Sequence, residues 1–75
     1  MSMEKENANI FIRAFAHAQK ETGLTQNDVA IRMSITQPAL SHYVTGLKEP
    51  GLGFMERVAE AFGYDLVDFL ALGRE

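Results

Sequence analysis

Cysteine and tryptophan are absent from the 75 residues. Without thiols the chain can form neither a disulfide nor a thiolate metal site, and its redox compartment stays open. His17 and His42 stand alone, with no carboxylate cluster beside them, so no metal and no cofactor is expected. Long apolar runs are missing too: none approaches the roughly 20 residues of a membrane span. The stretch MSMEKENANIFIRAF carries Glu4 and Glu6 where a secretory leader is basic, and Arg13 interrupts its apolar run. No signal peptide is therefore expected, and a cytoplasmic location is the expectation. There is no strand-type alternation, repeat, low-complexity tract or glycine-rich phosphate loop. Ser41 and His42 are neighbours in sequence, so on a helix they point about 100° apart and make no nucleophile–base pair. Nothing indicates an enzyme or a small-molecule substrate.

Positive charge is scarce. Seven Lys and Arg face ten Asp and Glu, for a formal net charge of −3. Such a sum argues mildly against nucleic acid, but its distribution is uneven. Residues 1–21 are balanced and residues 22–48 carry +1. Residues 49–75 carry −4, so most of the negative charge lies in the last third.

The remaining pattern is helical. One domain spanning residues 1–75 is expected, all-α, with residues 1–7 and 73–75 fraying at its ends. Phe11, Phe15 and Ala18 recur at helical spacing, with Ala8 and Ile12 beside them, and Gly23 ends this first helix. In TQND, Thr25 caps a second helix and Asp28 completes a capping box. Val29, Ala30 and Met33 form its inner face. After the short turn SIT, Thr36 caps a third helix beginning at Gln37 and Pro38. A proline is tolerated there because a missing N–H breaks no intrahelical bond in the first turn. Leu40, Tyr43 and Val44 face inward and Gly46 ends the helix. The loop LKEPGLG leads to a fourth helix from about Phe54 to Phe62, with Met55, Val58, Ala59 and Phe62 inward and Gly63 at its end. Asp65 caps a last short helix, LVDFLAL.

Two short helices, opening at Gln26 and Gln37 and joined by a turn of about three residues, have the spacing of a helix-turn-helix. The blocks GLTQNDVA, TQPALSHYVTG, EP at 49–50 and MERVAEAFGYDLVDFL occur in order and in register. From about Phe15 to Leu70 the chain resembles the Cro/repressor-type helix-turn-helix family, also called XRE or lambda-repressor-like. The resemblance implies a five-helix domain whose third helix enters the major groove of double-stranded DNA. It also implies a homodimer on a palindromic operator.

Carried over residue by residue, the resemblance assigns Gln26 a phosphate contact and a bracing role toward the third helix. It puts Gln37 at a base edge. A glutamine amide can donate to N7 and accept from N6 of adenine as a bidentate pair. Pro38, Ser41 and His42 fill the other outward positions of the third helix. Pro38 could pack on a thymine methyl or simply fix the helix start, and His42 could reach a base or a phosphate. Thr25, Thr36, Thr45 and Lys48 match positions that contact the DNA backbone, where hydroxyls and helix-start N–H groups bind phosphate without formal charge. Three departures stand out. Ser34 occupies a turn position that is often glycine. Gln19 and Val44 replace an Arg–Glu pair, so both charges are lost together. The loop after Gly46 carries one Lys where relatives carry two or three cations.

In the last helix Leu66 and Phe69 are expected in the core, leaving Val67, Leu70 and Leu72 for a partner copy. The expected function is a sequence-specific transcriptional regulator of the phage Cro or short-repressor type. The rival is a protein-interaction module, antitoxin-like or adaptor, that keeps the fold with weak or no DNA binding.

Overall fold

The computed structural model describes residues 3–74, with side chains from residue 9 onward. Five helices follow one another: α1 (Met3–Thr22), α2 (Gln26–Arg32), α3 (Gln37–Val44), α4 (Leu52–Phe62) and α5 (Leu66–Leu72). No strand occurs among the described residues. The architecture is the all-α, five-helix arrangement expected.

Helical periodicity puts Phe11, Ala14, Phe15 and Ala18 on one buried stripe of α1. Opposite them lie Val29, Ala30 and Met33 of α2, Leu40 of α3, Met55, Val58, Ala59 and Phe62 of α4, and Phe69 of α5. All five phenylalanines join one aromatic network. Phe15 meets Phe62 edge-on at 5.1 Å, and Phe11 meets Phe69 edge-on at 6.1 Å. Such pairs contribute about 0.5–1.5 kcal/mol each beyond the area they bury. No polar or charged side chain is buried among the described residues. Gln19 and Val44 are both half-buried. Exchanging an ion pair for these two neutral residues therefore leaves no orphaned charge in the core.

The capping signals at Thr25 and Thr36 are realised. Thr25 Oγ1 accepts the Asp28 N–H at 3.0 Å while the Asp28 carboxylate accepts the Thr25 N–H at 2.9 Å. Thr36 Oγ1 accepts the Ala39 N–H at 3.2 Å. Gly23, Gly46 and Gly63 take left-handed φ values of 74°, 85° and 89° where α1, α3 and α4 end. Asp65 stands at the start of α5 without a side-chain cap bond.

Three boundaries differ from expectation. Helix α4 starts at Leu52, two residues before Phe54, with Gly51 as its cap. Gly51 has no side-chain acceptor to announce a helix start, so the sequence marks it poorly. Helix α1 takes in residues 3–7, expected to fray. Residues 1, 2 and 75, and the side chain of the expected core neighbour Ala8, lie outside the described residues. At the other end the correction is firmer. Gly73 is buried and packs so closely on α1 that a Cβ there would collide with the Ile10 carbonyl.

Helix α5 also buries more than one stripe. It packs against both α1 and α4, so Leu70 and Leu72 are half-buried against the core. Of the three residues expected to be left for a partner, Val67 alone is fully presented, at 77% exposure.

Two outcomes follow from the turn chemistry. Ser34 has φ 57°, a strain of roughly 1–2 kcal/mol for a residue with a Cβ. Glycine there relieves the strain and costs roughly 0.5–1 kcal/mol in chain entropy. Ser34→Gly should therefore gain about 0.5–1 kcal/mol in urea unfolding, and a loss of stability would contradict the strain. Asp28 is held below the ordinary carboxylate value, chiefly by the backbone N–H of Thr25, then by the Thr25 side chain, with the Arg32 charge adding to both. A depressed folded-state pKa stabilises above the unfolded value and is lost as pH falls through the folded one. The stability advantage over Asp28→Asn should thus be constant near neutrality and shrink below about pH 4. An advantage unchanged into acid would rule out the ionised capping box.

Candidate nucleic-acid interface

The turn between α2 and α3 is specified by backbone bonds and two long-range side chains. The Met33 N–H donates to Val29 O at 3.0 Å, Ser34 N–H to Ile31 O at 3.1 Å and Ile35 N–H to Ala30 O at 3.0 Å. Ser34 supplies the left-handed residue that reverses the chain. From α4, Arg57 Nη2 donates to the Met33 carbonyl at 2.9 Å. In return Arg32 Nη1 donates to the Ala61 carbonyl at 2.9 Å. Each guanidinium satisfies a carbonyl near a helix C-terminus, where cations are favoured. Sequence reasoning missed both. Arg32 carried a visible signal, a cation in the last turn of its helix, whereas Arg57 in mid-helix carried none.

This turn brings the openings of α2 and α3 together. Gln37 Nε2 donates to Gln26 Oε1 at 3.0 Å, and both residues are half-buried. The Nε2 of Gln26 is itself buried and has no hydrogen-bond partner in the structure. A buried amide donor without a partner costs roughly 1–3 kcal/mol, so the pair is incomplete on its own. Beyond its bond to Gln26, the Gln37 amide has a second N–H and its carbonyl oxygen to offer.

The other sequence-predicted residues lie at the caps of α2 and α3, along α3 and in the loop after it. Pro38 and His42 on α3 are exposed and Ser41 is half-buried. Thr25 and Thr36 are exposed caps whose hydroxyl oxygens accept from the backbone, which leaves each O–H able to donate. Thr45 is also exposed, but its hydroxyl donates to Ser41 O at 2.8 Å and its proton is committed within the helix. Lys48 is exposed, its backbone N–H on His42 O at 2.9 Å and its Nζ 6.0 Å from the centre of the Tyr43 ring. Tyr43 in turn stacks on Phe54, with centroids 4.0 Å apart and planes at 22°. Val67, Leu70 and Leu72 belong to α5 and stand apart from this set, with Val67 and Leu70 bordering an open recess beside Ala71 and Arg74.

Two short helices locked through a tight turn, with paired amides at their openings, define a helix-turn-helix domain of the DNA-binding, transcription-regulating class. The chain belongs to the helix-turn-helix family, whose model matches residues 19–69. In fold it is similar to the clp gene regulator ClgR from C. glutamicum, with a TM-score of 0.79 at 21% identity. The likeness covers 89% of this chain and 87% of that one. No curated protein sequence matches.

Proposed function

We propose that the chain is a sequence-specific regulator of the Cro/repressor type, acting as a homodimer on a palindromic operator in the cytoplasm. The observation that carries the reading is the Gln26–Gln37 bond with its partnerless Gln26 Nε2. A phosphate oxygen would complete that donor, and the braced Gln37 would meet adenine as a bidentate partner. Thr25 and Thr36 donate their hydroxyls to the flanking phosphates, and Lys48 adds one cation. Pro38, Ser41 and His42 face the neighbouring base edges. Thr45 reaches a phosphate once its hydroxyl turns away from Ser41.

Gln37→Ala tests the readout. On a consensus duplex it should cost about 1–3 kcal/mol at one base pair per half-site and relax preference there. Equal loss for every base at every position would remove Gln37 from base reading.

Pairing is expected because a single helix in the groove contacts too few bases for useful specificity. Val67, flanked by the partly covered Leu70 and Leu72, is the surface for it. Because Leu70 and Leu72 also pack on the core, Val67→Glu probes the interface with least damage to the fold. Sedimentation should show this variant as a monomer where the wild type is dimeric. An unchanged dimer would exclude the α5 face.

A further inference from the structure

Between Arg32 and Arg57 the sequence holds a single Lys or Arg, namely Lys48. It lies in the loop that leaves α3, and its surroundings are more ordered than an exposed lysine requires. Gly46 turns the chain with φ 85°, and the Lys48 N–H then returns to the carbonyl of His42 at 2.9 Å. That bond fixes where the lysine side chain begins. Its Nζ ends 6.0 Å from the centroid of Tyr43, within reach of a cation–π contact. Tyr43 is itself held: Phe54 covers one face at 4.0 Å, and Phe54 packs on the buried Phe11 at 6.2 Å. The Lys48 ammonium lies over the same ring. An unbroken path of rings thus runs from the core to the one cation of this segment.

We propose that Tyr43 is a positioning residue for DNA docking, its ring carrying the Lys48 ammonium so that the cation is preset toward a backbone phosphate. The inference rests on the reading of Lys48 as a phosphate contact. A free lysine loses most of its rotamer freedom when it engages a phosphate. Lying over a fixed ring, it has already given up part of that freedom. Of the three ammonium donors, one faces the ring and the others stay available. On a face with so few cations, losing this placement should be measurable.

The probe is a mixed-sequence B-form duplex, titrated with the full chain at several salt concentrations. Lys48→Ala should weaken binding and flatten the log–log salt slope by about 0.9 per monomer for one phosphate. Tyr43→Phe keeps the ring and should bind like wild type. Pentafluorophenylalanine at position 43 keeps shape and stacking but reverses the ring quadrupole. It should weaken binding about two- to fivefold, the range of an exposed cation–π contact. In the Lys48→Ala background the same replacement should have no further effect. A merely structural Tyr43 predicts the opposite, since a fluorinated ring stacks on Phe54 at least as well. If Lys48→Ala weakens binding but the fluorinated ring matches Tyr43→Phe, the positioning role falls and the phosphate contact stands. If Lys48→Ala changes neither affinity nor slope, both fall together. Thermal unfolding of each variant confirms that the fold is retained.

Discussion

The interface depends on the angle between α2 and α3. The four-residue connection, residues 33–36, cannot set it alone, because a short chain segment permits several crossings. Here it is over-determined. Ser34 accepts a left-handed conformation, Ile35 closes back on Ala30, and Thr36 starts α3 at a fixed point. From outside the motif, Arg57 holds the Met33 carbonyl and Leu40 anchors α3 in the core. Only with that angle fixed can Gln37 reach Gln26 across eleven positions of sequence. Local strain at Ser34 is retained because the surrounding contacts outweigh it.

A second constraint is electrostatic. Most protein–DNA affinity comes from neutralised phosphates, and this chain offers few cations to neutralise them. On the proposed reading, docking rests instead on neutral donors: two threonine hydroxyls at helix caps and two glutamine amides held against each other. Donors of this kind give orientation and register with little long-range attraction. The excess acid lies in the last third of the sequence, much of it on α4 and α5. Together these features describe a module whose binding depends on fit more than on charge.

Much of this was legible in the sequence. The caps at Thr25 and Thr36, the stops at Gly23, Gly46 and Gly63, and the inner faces of the first four helices all follow local rules of spacing and backbone freedom. The φ of Ser34 was hinted at only by the family resemblance, in which that turn position is often glycine. What escaped was long-range or unsignalled. Arg57 to Met33 and Arg32 to Ala61 join residues 24 and 29 positions apart, and no periodicity marks such pairs. The start of α4 was misplaced because Gly51 carries no cap chemistry. The burial of Leu70, Leu72 and Gly73 depends on α5 lying against two helices at once, a tertiary fact that one amphipathic stripe does not contain. At the site, the residue types came from the chain itself and their assembly from family resemblance. The unpartnered amide of Gln26 and the Tyr43–Phe54 stack became visible only with the side chains in place.

The central claim is that a nearly neutral helix-turn-helix face reads sequence through a preset pair of amides. Selection of the wild-type chain against a pool of random duplexes at physiological salt tests it most directly, because weak charge attraction gives little binding to unspecific sites under that condition. The account predicts recovery of a two-fold symmetric motif with adenine fixed at one position in each half-site. A pool that emerges unenriched at both low and physiological salt would contradict it and leave the fold as a protein-interaction module.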